Sequence, residues 1–185
     1  NIKHYIGEMY FFRAFMYFER LKSLGDFPII TKTYPNEREA LIEISKRAPR
    51  NEVARFILSD LDKAIEMMQN IAPSGGKNRL SKDCAILLKS RVALYEGSWL
   101  KNFKGTAFVP NGPGWPGANK DYNANYSFKS GSIEKESEFF FDEAIKAAQI
   151  IAEKYNILTA NTGVFPQTSS EPENPYFSMF CDIDM

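Results

Sequence analysis

The chain has 185 residues, enough for one domain, and with 44% of them hydrophobic and 14% aromatic it can bury a core rather than stay disordered. Lys and Arg number 23 and Asp and Glu also 23, and this balance argues against a nucleic-acid binder, which displays a basic face to phosphate. No apolar run is long enough for a transmembrane helix, and two cysteines, Cys84 and Cys181, do not make a disulfide framework.

Helical periodicity predicts four helices, and no strand pattern competes with them. The first covers about residues 3–24. Met9, Phe12 and Met16 mark one face and Phe11, Ala14, Phe15, Phe18 and Leu21 another. A helix apolar on nearly all sides is expected to be buried on nearly all sides, in the middle of the domain. Gly25 ends it, where a left-handed residue is cheapest. The following Asp26-Phe27-Pro28-Ile29-Ile30 reads as extended, because Pro28 bars helix and biases Phe27 away from it. A second helix covers about residues 49–69, with Pro49 suited to its first turn and Val53, Ile57, Leu61, Ala64 and Met68 at amphipathic spacing. Pro73-Ser74-Gly75-Gly76 then breaks the chain.

Ser81 reads as the N-cap of a third helix, Asp83 suits the positive end of its dipole, and Cys84, Leu88, Val92, Tyr95 and Trp99 form its stripe. Both cysteines read as structural, Cys84 as a small buried hydrophobe. A long polar, glycine-rich loop at about 102–136 carries Pro110, Pro113 and Pro116. The fourth helix is expected from about 137 to 155, with Phe141, Ala144, Ala148, Ile151 and Tyr155 facing inward. From 156 to 185 the pattern dissolves into an irregular tail. The chain begins without Met, inside a helical pattern, and is expected to be a single partial domain of a longer protein. Asp60 and Arg91, each in the middle of an apolar helix, are expected to form an ion pair or to bond loop backbone.

The third and fourth helices carry a repeat signature. Leu88 to Gly97 resembles the first helix of a tetratricopeptide repeat, and Phe141 to Ala148 the start of the second. Small residues such as Ala93, Ala144 and Ala148 suit close helix approach, with Leu94, Tyr95 and Phe141 filling the groove. The fold class is therefore all-α: antiparallel helix pairs at about 3–70 and 81–155, tetratricopeptide-like, with one long loop insertion. Gly7-Glu8, Arg13-Ala14, Gly25-Asp26-Phe27-Pro28-Ile29, Ile57-Leu58-Ser59-Asp60-Leu61 and Arg91 to Tyr95 occur in the order of the SusD/RagB family of outer-membrane lipoproteins, which the chain resembles over about residues 7–155. The resemblance implies a surface-exposed protein of the outer membrane, held by an N-terminal lipid anchor outside this chain. It also implies capture of oligosaccharides or other nutrients for a SusC-type TonB-dependent transporter.

Parts for an enzyme are scarce. His4 is the only histidine, so neither a histidine-rich metal site nor a Ser-His-Asp triad has its components, and no phosphate-cradling glycine motif or cofactor signature appears. Asp60 with Asp62, and Glu134 with Glu136 and Glu138, read as solvated helix faces rather than a glycosidase pair. The expected working surface is the loop from 103 to 128, where aromatic and amide side chains alternate. Trp115, Tyr122, Tyr126, Asn119 and Asn123 are its candidate ligand-binding residues, since sugars pair apolar C–H faces with hydroxyl edges. The same aromatics also suit pinning a long loop to the helices, or meeting a partner protein. A helical-repeat scaffold that binds only proteins is the alternative to nutrient capture.

Overall fold

The structure, a computed structural model, describes residues 1–73 and 79–155. Five α-helices carry them: α1 (Ile2–Leu24), α2 (Arg38–Ile44), α3 (Arg50–Met67), α4 (Lys82–Asn102) and α5 (Ile133–Lys154). Two 3-10 turns, Pro116–Asn119 and Asp121–Asn123, lie between α4 and α5. The breaker at 74–76 and the irregular tail at 156–185, with Cys181, lie outside the described residues.

The stripe of α3 is the centre of the core: Val53, Ile57, Leu61, Ala64 and the following Met68 are all buried. Along it, Gly7 meets Met68, Arg13 meets Asp60, and Tyr17 meets Phe56. Positions that rise along α1 thus meet positions that fall along α3, and the two helices are antiparallel. The same reversal relates α3 to α4, through Arg50 with Glu96 and Asp62 with Lys89. It relates α4 to α5 through Asp83 with Lys154, Ser90 with Ala144, and Gly97 with Ser137. The architecture is all-α, with pairs α1/α3 and α4/α5 joined across α3/α4. Close approach depends on missing side chains: a Cβ on Gly97 would lie 3.1 Å from the Phe141 ring and 3.2 Å from the Ser137 carbonyl oxygen.

Buried carboxylates cross-link the helices and tie down the connection that leads into α4. Glu8 receives Arg79, Asp60 receives Arg13, Glu96 receives Arg50 and Glu136 receives Arg55. The expected partner of Asp60 is thereby corrected: Arg13 of α1 reaches it through two bonds of 2.6 and 2.8 Å, whereas Arg91 is exposed. The cause is the two-sided packing of α4, which leaves positions 87, 91 and 94 outward. Leu94, expected in the groove, is exposed for the same reason. His4 is a core residue; its Nδ1 accepts the Gln69 N–H at 3.0 Å, and its Nε2 lies 3.4 Å from Glu8 without hydrogen-bond alignment.

Three further expectations change. The first helix is not buried all round: Phe11, Ala14, Phe18 and Leu21 face the core, while Ile6, Met9, Phe12 and Met16 are exposed. Among the described residues α1 meets α3, and briefly α4, along one face only. The last helix starts at Ile133, before the expected 137, because Ser132 caps it by accepting the Lys135 N–H, with Glu134 and Glu136 in the favourable first turn. Its inward stripe is Glu136, Phe140, Ala144 and Ala147, so Ala148 and Tyr155 turn outward. The short α2, with no buried residue, had no stripe to reveal it.

Glu136 provides a test of this cross-linking. Burial alone would raise its carboxyl, but hydrogen bonds from Arg55, Asn51 and Ser130 outweigh burial and hold it at about 2, below its ordinary 4.5. A depressed folded-state value means that the contribution is complete above about 4.5 and is lost as pH falls toward 2. At 1.36 kcal/mol per unit this contribution is on the order of 3 kcal/mol. Glu136→Gln is expected to be less stable than the wild type at pH 7, with the two unfolding curves converging near pH 2. A gap that stays constant from pH 7 to pH 2, read by circular dichroism in urea, would contradict the assignment.

Candidate functional site

A cavity lies where the end of α1, the start of α3, the end of α4 and the long loop converge. Gly25 turns the chain with φ 69°, a value that favours glycine, while its N–H still bonds the Leu21 carbonyl. Phe27 and Ala48 then exchange two backbone hydrogen bonds of 3.1 Å, which holds the segments after α1 and before α3 side by side. The Tyr17 hydroxyl accepts the Ile30 N–H at 2.7 Å and steadies the first of them.

Asp26 is the joint this creates. Its Oδ1 accepts the Arg50 N–H at 2.8 Å, at the N-terminus of α3, where the helix dipole favours a carboxylate. Its Oδ2 accepts the Trp115 indole N–H at 2.7 Å, which ties the loop to both helices. Burial pushes the Asp26 carboxyl up, against these two bonds and the charges of Arg50 and Arg47. Beside it, Arg50 grips Glu96 through contacts of 2.8 to 3.2 Å, and its guanidinium lies 4.0 Å from the centre of the Trp99 ring system. The Trp99 indole donates to the Phe108 carbonyl at 3.0 Å, fixing the start of the loop over α4.

The cavity above these groups has a volume of about 710 Å³, in the range of small-ligand sites. Trp99, Phe108, Trp115 and Tyr122 give it aromatic walls, and Lys22, Arg47, Arg50 and Lys120 its cations. Asn123 adds an amide, and Asp26 is the sole carboxylate among the lining residues. Phe108 is 63% exposed and Tyr122 43%, so both rings reach solvent at the rim, Phe108 edge-to-face with Phe103 and Tyr122 with the Lys46 ammonium 6.0 Å from its ring centre.

The candidates from the sequence fall into distinct positions. Trp115, Tyr122 and Asn123 are brought together around the cavity. Asn119 lines a shallow depression next to it, with Lys46, Asp121 and Tyr122. Tyr126 lies beneath the loop: its hydroxyl donates to Asn51 at 2.6 Å, its ring is 5.6 Å from Trp115, and burial pushes its phenol up. Trp115 is only 3% exposed and packs on Gly117, where a Cβ would come within 2.2 Å of the indole. Asn123 donates to the Gly117 carbonyl at 3.1 Å, so it also shapes the turn.

Sequence reading missed Lys22, Asp26, Arg47, Arg50, Trp99 and Lys120 as parts of one site. The only local signals were Gly25-Asp26 and Pro49-Arg50, which read as helix punctuation. The acid groups read as solvated helix faces do not converge here, and two of them are buried instead: Asp60 and Glu136 are drawn into the core by Arg13 and Arg55, while Asp62 and Glu134 pair with Lys89 and Lys104 at the surface.

Among known proteins, no curated relative matches the chain. A solved SusD-like protein from Bacteroides fragilis is 36% identical, with a TM-score of 0.45 over 54% of this chain. The chain spans only 19% of that protein's length. A SusD-like family described as starch-binding and associating with the outer membrane matches residues 1–94. That match covers half of the 185 residues and includes the α1–α3 wall of the cavity, and the chain belongs to this SusD-like family.

Proposed function

We propose that the chain is part of a cell-surface lipoprotein of the outer membrane that captures oligosaccharides for a SusC-type TonB-dependent transporter, and that the cavity between α1, α3, α4 and the long loop contacts the glycan. The observation that carries this reading is the pairing of exposed aromatic rings, Phe108 and Tyr122, with polar groups around one cavity of about 710 Å³. Rings of this kind stack on the apolar faces of sugars while amides and charges meet the hydroxyl edges. Family membership supports the ligand class and the membrane, through the family's description as starch-binding and associating with the outer membrane. The reading is one of binding rather than catalysis, since among the described residues Asp26 is the sole carboxylate lining the cavity and glycoside hydrolysis takes a facing pair.

Titration calorimetry with maltoheptaose and a set of plant and mucin oligosaccharides tests the reading. Loss of one stacking face is worth about 1 kcal/mol or more, so Phe108→Ala and Tyr122→Ala should each weaken binding about tenfold. Unchanged affinity in both variants would remove the cavity from the glycan site. The exposed apolar face of α1, with Ile6, Met9, Phe12 and Met16, favours a second reading as a helical scaffold for protein contacts. Failure of every oligosaccharide to bind would put that reading first.

A further inference from the structure

The chain is neutral overall, yet this cavity is not. Lys22, Arg47, Arg50 and Lys120 line it against the single carboxylate of Asp26. The cations differ in what already holds them. Arg50 is buried and engaged with Glu96, and Lys22 lies 2.7 Å from Glu19. Asp26 uses its two oxygens to accept the Arg50 N–H and the Trp115 indole N–H, and its single charge, felt by both Arg50 and Arg47, offsets the cavity's cations only in part. Arg47 and Lys120 form no ion pair among the described residues, and both are exposed. They approach from different walls, Arg47 from the segment entering α3 and Lys120 from between the two 3-10 turns of the loop. Aromatic walls of low dielectric beside them concentrate the field of such charges inside a concave site.

We propose that the cavity selects an acidic sugar, whose carboxylate or sulfate is held by Arg47 and Lys120 while the sugar ring lies against the Tyr122 and Phe108 side of the wall. The proposal rests on the glycan reading above and adds the charge of the ligand to it. A guanidinium and an ammonium suit either oxyanion, the first through paired N–H donors and the second as a point charge. Selectivity of this kind follows ionic strength, because both groups stand in contact with solvent.

The test is calorimetry on the full chain with matched charged and neutral probes. Trigalacturonic acid is compared with its methyl ester, and a sulfated galactose disaccharide with its desulfated form. At low salt, one charged probe or both should bind at least about tenfold more tightly than the neutral mate, and the ratio should shrink in 0.5 M NaCl. In the Arg47→Ala/Lys120→Ala double variant the ratio should fall to near one, with thermal melting showing a folded chain. The pair that shows the ratio identifies the carboxylate or the sulfate. Equal binding of charged and neutral probes, still weakened by Tyr122→Ala, overturns the charge selectivity and leaves the glycan reading standing. A ratio that persists in the double variant places the anion elsewhere and overturns the site. No binding by any of the four probes at millimolar concentration overturns the acidic-sugar proposal, and the glycan reading falls with it only if maltoheptaose and the neutral oligosaccharides also fail to bind.

Discussion

Glu96→Ala is expected to destabilise the chain by about 3–5 kcal/mol, because it strands a buried guanidinium without its counter-charge. Both partners are almost completely inaccessible, and Arg50 reaches both carboxylate oxygens. The location magnifies the effect. Arg50 opens α3, its N–H holds Asp26, and its guanidinium lies against Trp99. The pair therefore ties α3 to α4 directly beneath the cavity. Its net worth is a different quantity: a matched apolar pair such as Arg50→Met with Glu96→Leu removes both desolvation costs together and should recover much of the loss. Urea unfolding of both single variants and the double variant separates the two effects. Single variants within 1 kcal/mol of the wild type would mean that water or another group neutralises Arg50. The double variant serves a second purpose, since it should fold yet lose the Arg50 stack under Trp99.

The same pair shows what the sequence could and could not disclose. Repetition at helical spacing made α3 readable, because Val53, Ile57, Leu61 and Ala64 all face one direction and all are buried. Periodicity reports apolarity, however, and not what covers it. In α1 the apolar residues run round the helix, and only the half carrying Phe11, Ala14, Phe18 and Leu21 meets a partner among the described residues. Spacing singled out Asp60 and Arg91 as charges within apolar helices, but neither which of them is buried nor its partner was legible: Asp60 is buried and Arg91 exposed. Arg13 lies 47 positions from Asp60, and antiparallel pairing, not local spacing, sets them face to face.

The cavity was hidden by the same logic. Gly25-Asp26 and Pro49-Arg50 end one helix and begin another, and their chemistry appears only when the Phe27–Ala48 bridge lays the two connections together. The loop was visible as a working surface because its aromatic and amide content is unusual for a connection. Which of its rings face outward depends on hydrogen-bond partners far away in sequence. Tyr122 stays at the rim with no such partner among the described residues, whereas Tyr126 finds Asn51 and turns in. A composition rich in stacking side chains therefore located the site but could not sort its rim from its support.

Trp115 is where that sorting has the largest measurable consequence. A ligand platform offers a ring face to solvent, and its removal lowers affinity while leaving stability nearly unchanged. Trp115 instead is buried, rests on Gly117 and Tyr126, and donates its indole N–H to Asp26 across 89 positions of sequence. Trp115→Ala is therefore expected to cost about 3 kcal/mol, at the lower end for truncating a buried aromatic because the loop can partly collapse. Trp115→Phe keeps most of the ring and forfeits the hydrogen bond to a charged acceptor, so it should cost about 1.5–3 kcal/mol. Asp26→Ala should remove the same bond from the other side, so in a double-mutant cycle Trp115→Phe and Asp26→Ala should couple by 1 kcal/mol or more. Stability of Trp115→Ala within about 0.5 kcal/mol of the wild type, together with lost glycan affinity, would return this residue to the platform. The opposite pattern, lost stability in Trp115→Phe with affinity retained by the folded molecules, makes it the pin that holds Tyr122 and Lys120 at the cavity's edge.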